Sequence, residues 1–416
     1  MDKLAERYRL LLGLDESWVV EDVDLDLTGQ KVTIRLQRSR EVGVCCQKCG
    51  EQRPLKDHAA ERTWRHLDTM QFETVLIART PRTNCPECGV HNVDVPWAEP
   101  HGRFTLAFEA FAIRVLQAAA SVEQARQLLR LDWHSAKAIM SRAVDRGLER
   151  RQLDEVTHIG IDEKNFGKGH DYVSVMTDID GQRVLEVVPE RPREAADSLW
   201  ETLSEKQKQN VEAVAMDMWP AFMNSTAEHA PDAEIVHDRF HISKHLGDAV
   251  DQVRRAENKE LKSQGDDTLV GTRYLWLTNE VNLSEEQAVN FESLQKSHLK
   301  TSRAWAIRES FRDFWQQPGP LTGRDFFDSW HSWAVRSRLK PIVKVAKMLK
   351  RHLDRIVTWF FNRISNAMAE GFNSRIQALK SAARGFRNFR NYRTRILFFC
   401  GKLDLKPKLA PQPPTN

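Results

Sequence analysis

Long apolar runs are missing from this sequence, and their absence excludes a class of protein. Hydrophobic residues make up 41% of the 416-residue chain. No uninterrupted apolar stretch approaches the roughly 18 residues that a helix needs to cross a bilayer. The amino-terminal segment MDKLAERYRLLLGLDESWVV carries acids on both sides of a very short apolar stretch, so it is a poor secretory signal. We therefore expect a globular cytoplasmic protein without a membrane span.

The motifs of several common enzyme classes are also missing. There is no Gly-x-Ser-x-Gly nucleophile elbow and no phosphate loop with Gly-Lys-Ser/Thr, and FGKGH is too short for a dinucleotide fingerprint. A glycosidase-type carboxylate pair at Asp162 and Glu163 stays formally open. The cysteine pairs and the basic carboxy-terminal segment argue against glycosidase chemistry.

Acidic residues are scarce in the carboxy-terminal part of the chain. Residues 331–408 contain 19 Lys and Arg but only three acids, Asp354, Glu370 and Asp404. This segment therefore carries +16, although the whole chain has a net charge of only +4. A solvated helix surface is the simpler explanation of a basic tract, but a bias this one-sided favours a polyanion as partner.

Cysteine is used sparingly, and four of the six cysteines form two Cys-x-x-Cys pairs, CQKCG and CPECG. In a reducing compartment such pairs indicate metal or redox chemistry rather than disulfides. Each pair is followed by Gly, which lets the chain turn so that both sulfurs face one ion. We predict a structural Zn²⁺ site made by Cys46, Cys49, Cys85 and Cys88. Buried cysteines or a redox pair are the alternatives, and Cys45 leaves the ligand register open.

Residues 103–152 show helical periodicity in three consecutive segments, with Ser121 and Asp132 as predicted caps. The second and third segments resemble a helix-turn-helix, although a simple helical spacer is the alternative. The predicted DNA-reading residues, on or near the exposed face of the third helix, are Trp133, His134, Lys137 and Arg142.

The remaining patterns predict an α+β multidomain chain. After a lead segment, 1–40, comes the zinc ribbon, 41–98, followed by the helix-turn-helix domain. Residues 155–243 predict three strands, a helix, a strand, a helix and a strand, which is the order of an RNase H-like α/β core. We predict an all-helical insertion over 244–350, the end of the core over 351–404, and a Pro-rich disordered tail over 405–416.

Two carboxylates follow apolar strands, Asp162 after THIGI and Asp217 after VEAVAM. Burying such groups is costly unless they are solvated, paired or bound to metal. In the predicted core the first and fourth strands are adjacent, so both can serve one site for two Mg²⁺ ions, with Mn²⁺ as an alternative. Glu370 is the candidate third carboxylate, with Arg375 and Lys380 placed to reach phosphate. The alternatives are helix caps for the two aspartates and a surface acid for Glu370.

The motifs form an ordered set over nearly the whole chain. Two CxxCG knuckles flank RTWRHLD, and then come GIDE, AMDMWPAF, HDRFHI, GTRYLWL and NAMAEGFNSRIQALKSAARGFRNF. This set resembles the DDE transposases of bacterial insertion sequences, most closely the ISL3 family. The segment VCCQKCG departs from that family, in which a single cysteine followed by Pro is usual.

The resemblance implies specific roles for individual residues. It implies an RNase H-like catalytic domain with a helical insertion, and three metal-binding acids at Asp162, Asp217 and Glu370. Asp238 and His241 match an Asp-x-x-His signature that follows the second acid. Trp276 matches an insertion-domain aromatic that stacks on a flipped base. The basic residues expected to contact DNA in the last motif are Arg375, Lys380, Arg384 and Arg387.

The activity implied is DNA transposition. Two Mg²⁺ ions would activate a water or a DNA 3′-hydroxyl for attack on a phosphodiester, while the zinc ribbon and helix-turn-helix bind terminal inverted repeats. The implied partners are double-stranded DNA, as element ends and target, and a second copy of the chain in a synaptic homodimer. The expected location is the bacterial cytoplasm, on the nucleoid when DNA is bound. A regulator with an inactive catalytic domain and a metal-dependent nuclease without strand transfer are the rival hypotheses.

Overall fold

The computed structural model describes residues 3–39, 42–152, 156–166, 172–189, 193–278, 282–364, 367–383 and 385–409, and the side chains of 367–370 are not among those described. The chain divides into two compact units. One comprises Met1–Arg151 with Leu403–Asn416, and the other comprises Gln152–Lys402. Within the described ranges, no helix combines the length and the apolar character needed to cross a membrane.

The strands of the first unit form a five-stranded mixed sheet and a separate two-stranded sheet. Its elements are α1 (Lys3–Leu11), β1 (Trp18–Asp26), β2 (Lys31–Arg38), β3 (Val44–Cys45), β4 (Gln52–Arg53), β5 (Leu55–Arg65), β6 (Glu73–Cys85) and β7 (Gly89–Asn92). The strand order is β1-β2-β6-β5 with β7 on β6, and β2 runs parallel to β6. The predicted lead segment and zinc ribbon therefore share a sheet. Buried Val32, Ile34 and Leu36 alternate with more exposed residues along β2, as expected for a strand with one face on the core.

Three helices follow this sheet, as the periodicity predicted. They are α2 (Leu106–Ala118), α3 (Val122–Leu128) and α4 (Trp133–Arg150). The Ser121 side chain accepts a hydrogen bond from Gln124 N, and the Asp132 side chain accepts one from Ser135 N, so both predicted caps are confirmed.

The carboxy-terminal segment returns to α4. Arg146 Nη1 donates to the carbonyl oxygen of Leu405 at 2.6 Å, and the Leu405 side chain is buried. A Cβ at Gly147 would lie 2.7 Å from the Cβ of Leu403, so only glycine permits this approach. Residues 405–409 therefore differ from the predicted disordered tail because they bury apolar surface, whereas 410–416 lie outside the described residues.

The second unit begins with a five-stranded sheet. Its strands are β8 (His158–Asn165), β9 (Tyr172–Asp178), β10 (Arg183–Pro189), β11 (Ala213–Met216) and β12 (Glu234–His237). The order is β10-β9-β8-β11-β12, with an antiparallel meander of β8, β9 and β10 and parallel pairing of β11 with both β8 and β12. The first and fourth strands are therefore neighbours, as predicted.

Helices cover both faces of this sheet. The connections contain α5 (Arg193–Trp200), α6 (Glu205–Gln209) and α7 (Pro220–His229). Leu199, Trp200 and Phe222 from this group belong to the buried cluster that contains Ile159 and Ile161 of β8. A separate cluster joins apolar residues of β11 and β12 to the helices that follow β12.

The later part of the second unit is helical. It contains α8 (Arg239–Ser263), α9 (Arg273–Leu277), α10 (Glu285–Gln295), α11 (Lys300–Ser310), a 3₁₀ helix (Phe311–Gln316), α12 (Pro320–Arg336), α13 (Lys340–Arg351), α14 (Leu353–Val357), α15 (Trp359–Asn362), α16 (Ala367–Ala382) and α17 (Phe389–Cys400). The helical part begins at Arg239 rather than at residue 244, because Asp238 caps α8 directly after β12.

Candidate active site

Two of the predicted carboxylates lie side by side on neighbouring parallel strands, towards the carboxyl ends of these strands in the second sheet. Ile161 of β8 pairs with Met216 of β11 in parallel, and Asp162 and Asp217 are the next residues on each strand. The capping alternative fails for both. The N-cap position of α7 is Trp219, and the strand continues beyond Asp162. The two carboxylates therefore have no helix-capping role.

A histidine lies among three carboxylates at this edge. Asp238 caps α8 by accepting from Phe240 N at 3.2 Å, which places His241 in the first turn of the helix. His241 Nε2 lies 3.7 Å from Asp162 Oδ1 and 3.9 Å from Asp238 Oδ2. His241 Nδ1 lies 3.5 Å from Asp217 Oδ2. The histidine of the Asp-x-x-His pair thus meets Asp162, which lies within β8, and Asp217, which directly follows β11.

Two further side chains contact Asp162. Lys164 Nζ lies 3.1 Å from Asp162 Oδ2, and Asn373 Nδ2 donates to the same oxygen at 2.9 Å. Burial by itself raises the pKa of Asp162, but the imidazole of His241, the Lys164 charge and the Asn373 amide outweigh burial and lower that pKa to about 2. The site therefore keeps its buried carboxylate ionised.

The pKa of His241 is shifted in the opposite direction to that of Asp162. Burial lowers its pKa, but Asp162, Asp217 and Asp238 together raise the pKa above its ordinary value. The three carboxylates thus favour a positive charge at their centre. An assembly of this kind suits a cation, either the imidazolium itself or a bound metal ion.

The third predicted acid lies on the helix that contacts Asp162. Position 370 belongs to α16, and the Glu370 side chain is outside the described residues. Asn373, less than one helical turn later, reaches Asp162, and Lys380 Nζ donates to the backbone oxygen of Asn165 at 2.9 Å. Helix α16 therefore runs beside β8, and the role of Glu370 stays a prediction.

The four predicted zinc ligands come together in the first unit. The sulfur atoms of Cys46, Cys49, Cys85 and Cys88 lie within 4.8 Å of one another. Cys45 is exposed and outside this cluster. Four clustered thiols fit tetrahedral Zn²⁺, so the first ligand is Cys46 rather than its neighbour.

Local backbone conformation explains how each knuckle turns. Gly50 has φ +76° and Gly89 has φ +83°, the left-handed region that side chains rarely adopt. The backbone N–H groups of Cys88 and Glu87 lower the pKa of Cys85 to about 6. Such hydrogen bonds favour the thiolate form that zinc binds.

The first turn of α4 offers three of the four predicted DNA-reading side chains to solvent. Trp133 is 45% exposed, and His134 and Lys137 are also exposed. Arg142 differs from the prediction, because its Nη2 donates to the buried Glu109 at 2.7 Å. Arg142 joins α4 to α2, so its guanidinium is committed to packing within the unit.

Family models match the chain in three consecutive stretches. The zinc-finger of transposase IS204/IS1001/IS1096/IS1165 matches residues 43–88, and the helix-turn-helix domain of transposase family ISL3 matches residues 93–144. The ISL3 DDE transposase domain matches residues 159–396, more than half of the chain. The chain belongs to the ISL3 family of transposases.

Two curated relatives extend the similarity along the chain. The transposase for insertion sequence element IS1557 of Mycobacterium tuberculosis is 28% identical over 411 residues, which cover 92% of each chain. The transposase for insertion sequence element IS1001 of Bordetella parapertussis is 26% identical over 364 residues, which cover 86% of this chain and 89% of that relative. The ISL3 chain is thus a DNA-processing transposase with a DNA-binding helix-turn-helix and a structural zinc site.

Trp276 of this ISL3 transposase is placed differently from the prediction. Its indole is fully buried, with Nε1 donating to Thr272 Oγ1 at 3.2 Å and the ring edge-to-face against Phe291 at 4.9 Å. A buried indole has no free face for a flipped base. The base-stacking prediction for Trp276 is therefore corrected to a core role in the helical segment.

The predicted DNA contacts at the carboxy-terminal end divide into three groups. Arg375 and Arg387 are exposed, so both are available to phosphate. Lys380 is engaged with Asn165 through that residue's backbone oxygen and its Oδ1. Arg384 lies outside the described residues.

Two partners of Asp162 in the ISL3 site, Lys164 and Asn373, were not predicted from the sequence. Lys164 is two residues after Asp162 on the same strand, so its side chain faces the same side of the sheet. Asn373 follows Glu370 by three residues on one helix, and that spacing is the signal that it shares the helix face.

Proposed function

We propose that this transposase cleaves and joins DNA strands at the Asp162–Asp217 edge of its second sheet in a Mg²⁺-dependent reaction. The observation that carries the proposal is the meeting of Asp162, Asp217 and Asp238 around one imidazole, that of His241, at 3.5 to 3.9 Å. Groups with perturbed pKa values that also share a specific charge partner concentrate at functional sites.

The sheet topology supports an RNase H-like core. An antiparallel meander of three strands continues into two parallel strands, and helices cover both faces. The segment proposed as the insertion, 244–350, runs from α8 to α13 in the described ranges, and it lies in the chain between the last strand and α16. In this arrangement Asp162, Asp217 and position 370 come from three distant parts of the chain.

The donor set suits the proposed ions. Asp162 and Asp217 offer carboxylate oxygens, the ligands that Mg²⁺ prefers, and Glu370 on α16 is the proposed third donor. A bound pair of Mg²⁺ ions would stabilise both the entering and the leaving oxygen of the phosphodiester and activate a water or 3′-hydroxyl. The low pKa of Asp162 keeps its carboxylate ionised, which is the form that binds a cation.

The surrounding residues of the chain have defined tasks in this proposal. Asn373 holds Asp162 Oδ2 and so restricts rotation of the carboxylate. His241 spans the three aspartates and keeps them converged. Lys164 places a positive charge 3.1 Å from Asp162, which reduces the repulsion between the acids and an approaching phosphate. These groups orient the site without a covalent intermediate on the protein.

End recognition is assigned to the first unit. Trp133, His134 and Lys137 occupy the exposed amino-terminal turn of α4, the part of a recognition helix that reaches base edges in the major groove. We propose that this turn reads the terminal inverted repeats. Joining two ends in one reaction favours a synaptic homodimer.

The test uses the full chain, an Asp162→Asn variant and an Asp232→Asn control. Asp232 is an exposed residue between α7 and β12, so the control makes the same substitution away from the site. Each protein is incubated with Mg²⁺, labelled duplexes from the ends of the encoding element and a supercoiled target plasmid. Strand cleavage and joined products are separated on denaturing and native gels.

The expected result is cleavage and joining by the wild type and the control, with Asp162→Asn retaining end binding but losing both reactions. Equal cleavage by Asp162→Asn and wild type would sink the assignment of Asp162. Binding without cleavage by the wild type would leave the regulator hypothesis. Cleavage without joined product would leave the nuclease hypothesis.

A further inference from the structure

Helix α13 carries a row of cations on one side. Its sequence, KPIVKVAKMLKR, places Lys340, Lys344, Lys347 and Arg351 at spacings of three or four residues, so they follow one helix face. All four are exposed. We call these four residues the α13 basic stripe.

The opposite face of α13 is not available to a partner. Ile342, Ala346 and Leu349 are fully buried in the cluster that holds the helical segment together. A basic amphipathic helix that binds a membrane surface would need this apolar face free. Only the charged side of α13 can therefore serve as a binding surface.

The charges of the stripe are not neutralised within the described part of the chain. Residues 329–353 contain seven Lys and Arg and no acid. The neighbouring Lys350 pairs with Asp328 at 2.5 Å, but none of the four stripe cations forms an ion pair within the described ranges. Like charges at this spacing are destabilising, so the arrangement favours an external polyanion.

The stripe ends beside the candidate active site. The residue after Arg351 is His352, whose ring lies 5.1 Å from the ring of His237, the residue before Asp238. Burial and nearby arginines, including Arg351, lower the pKa of His352, and the Asp217 carboxylate opposes this shift. The carboxy-terminal end of the row therefore lies near β12, the strand that leads into Asp238.

We infer that the α13 basic stripe binds the sugar–phosphate backbone of the duplex DNA that flanks the strand being cut. This inference rests on the proposed function. The stripe rises about 16 Å from its first to its last residue, at 1.5 Å per residue. Each DNA strand presents a phosphate about every 3.4 Å along the axis, so the stripe spans roughly five phosphates. Lysine contacts to phosphate position a duplex without reading its sequence.

The test compares two triple variants of the full chain. K340Q/K344Q/K347Q removes three charges from the stripe, and K206Q/K259Q/K262Q removes three charges from exposed positions on α6 and α8. Fluorescence anisotropy gives Kd over a series of KCl concentrations for two duplexes. One contains only the terminal repeat, and the other continues past the end into flanking DNA. Thermal melting of each variant verifies that it is folded.

The stripe variant should lose affinity for the long duplex about 10- to 100-fold, and its salt dependence should weaken. The slope of log Kd against log [KCl] should fall by about 2 to 3, since each phosphate contact contributes about 0.9. Binding of the short duplex by the stripe variant and of both duplexes by the control variant should match wild type.

Two outcomes would overturn the inference while leaving the proposed function intact. One is a stripe variant with the same slope as the control on the long duplex, and the other is an equal loss on both duplexes. A wild type that fails to bind or cleave end duplexes would instead remove the proposed function. The two failures are therefore distinguishable.

Discussion

At the scale of single residues, the molecule centres on a histidine shared by three aspartates. His241 lies within 3.9 Å of carboxylate oxygens from Asp162, Asp217 and Asp238. Asn373 fixes Asp162 from another helix. These contacts are all side chain to side chain, so conservative substitutions can test them one at a time.

Asn373→Ala should slow strand cleavage about tenfold, because losing a hydrogen bond to a charged group costs roughly 1.5 kcal/mol. The Kd for an end duplex should be unchanged, since Asn373 positions Asp162 and does not read DNA. Single-turnover cleavage and anisotropy measure the two quantities. Gln377→Ala, an exposed position on the same helix, is the control. Wild-type cleavage by Asn373→Ala would rule out the positioning role.

The metal-free protein should lose stability as pH rises above neutrality. Interaction with the aspartates raises the pKa of His241 above its ordinary value of 6.5, so its stabilising contribution is fully present below pH 6.5 and disappears as pH rises through the raised pKa. The stabilising contribution of Asp162 depends on pH in the opposite direction. Its contribution is present above pH 3.8 and is lost as pH falls towards about 2.

The free energy of unfolding of the second unit is measured by urea unfolding in EDTA. The measurements cover the pH range above 6.5 and the range from 3.8 down to about 2. His241→Asn should abolish the loss of stability above pH 6.5, whereas His298→Asn, at an exposed histidine, should retain it. An identical pH profile for wild type and His241→Asn would show that the interaction of the imidazole with the carboxylates does not contribute to the free energy of unfolding.

At the scale of elements, the carboxy-terminal segment acts as part of the DNA-binding unit. It lies along the second half of α4, where Arg150 Nη1 also donates to the backbone oxygen of Lys406 at 2.7 Å. The exposed recognition turn at Trp133 is at the other end of the helix. The segment therefore stabilises α4 without covering the surface proposed to read DNA.

Leu405→Ala should lower the free energy of unfolding of the first unit by about 2 to 3 kcal/mol, the usual cost of truncating a buried leucine. Leu409→Ala provides a matched control four residues later, because Leu409 is 57% exposed. Its effect should stay within about 0.5 kcal/mol, as for most surface substitutions. Denaturant unfolding measures both, and equal effects would exclude packing of Leu405 as the cause.

At the scale of the whole molecule, the zinc site and the carboxylate site belong to separate units with their own cores. Trp18, Trp64 and Trp97 lie in the core of the first unit. In the described part of the second unit, buried clusters lie on both faces of its sheet. Loss of the metal from the first unit should therefore leave the second unit folded.

Cys46→Ser should abolish binding of the single Zn²⁺ ion, whereas Cys45→Ser should keep one zinc per chain. The reason is that Cys46, unlike its neighbour Cys45, belongs to the four-sulfur cluster. Metal analysis of the purified variants measures the stoichiometry. Thermal unfolding should show a lowered transition for the first unit in Cys46→Ser and an unchanged transition for the second. Full zinc content in Cys46→Ser would move the ligand register to Cys45.

Much of the local structure was predictable because its causes are local. The glycine after each cysteine pair permits the left-handed turn of a knuckle, and Ser121 and Asp132 cap their helices through neighbours three residues away. The order of the predicted elements placed the strands of Asp162 and Asp217 side by side, as observed, although β8 continues to Asn165. These features depend on spacing within a few residues or on the order of elements, and both can be read along the chain.

The sequence by itself thus determined the three helices that follow the first sheet, the strand order of the second sheet, the four clustered cysteines and the ISL3 resemblance. Only the tertiary structure decided which side chains have free surfaces. Trp276 is buried, Arg142 pairs with Glu109 and Asn373 reaches Asp162. The physical reason is that exposure and pairing depend on neighbours from distant segments, which no local pattern specifies.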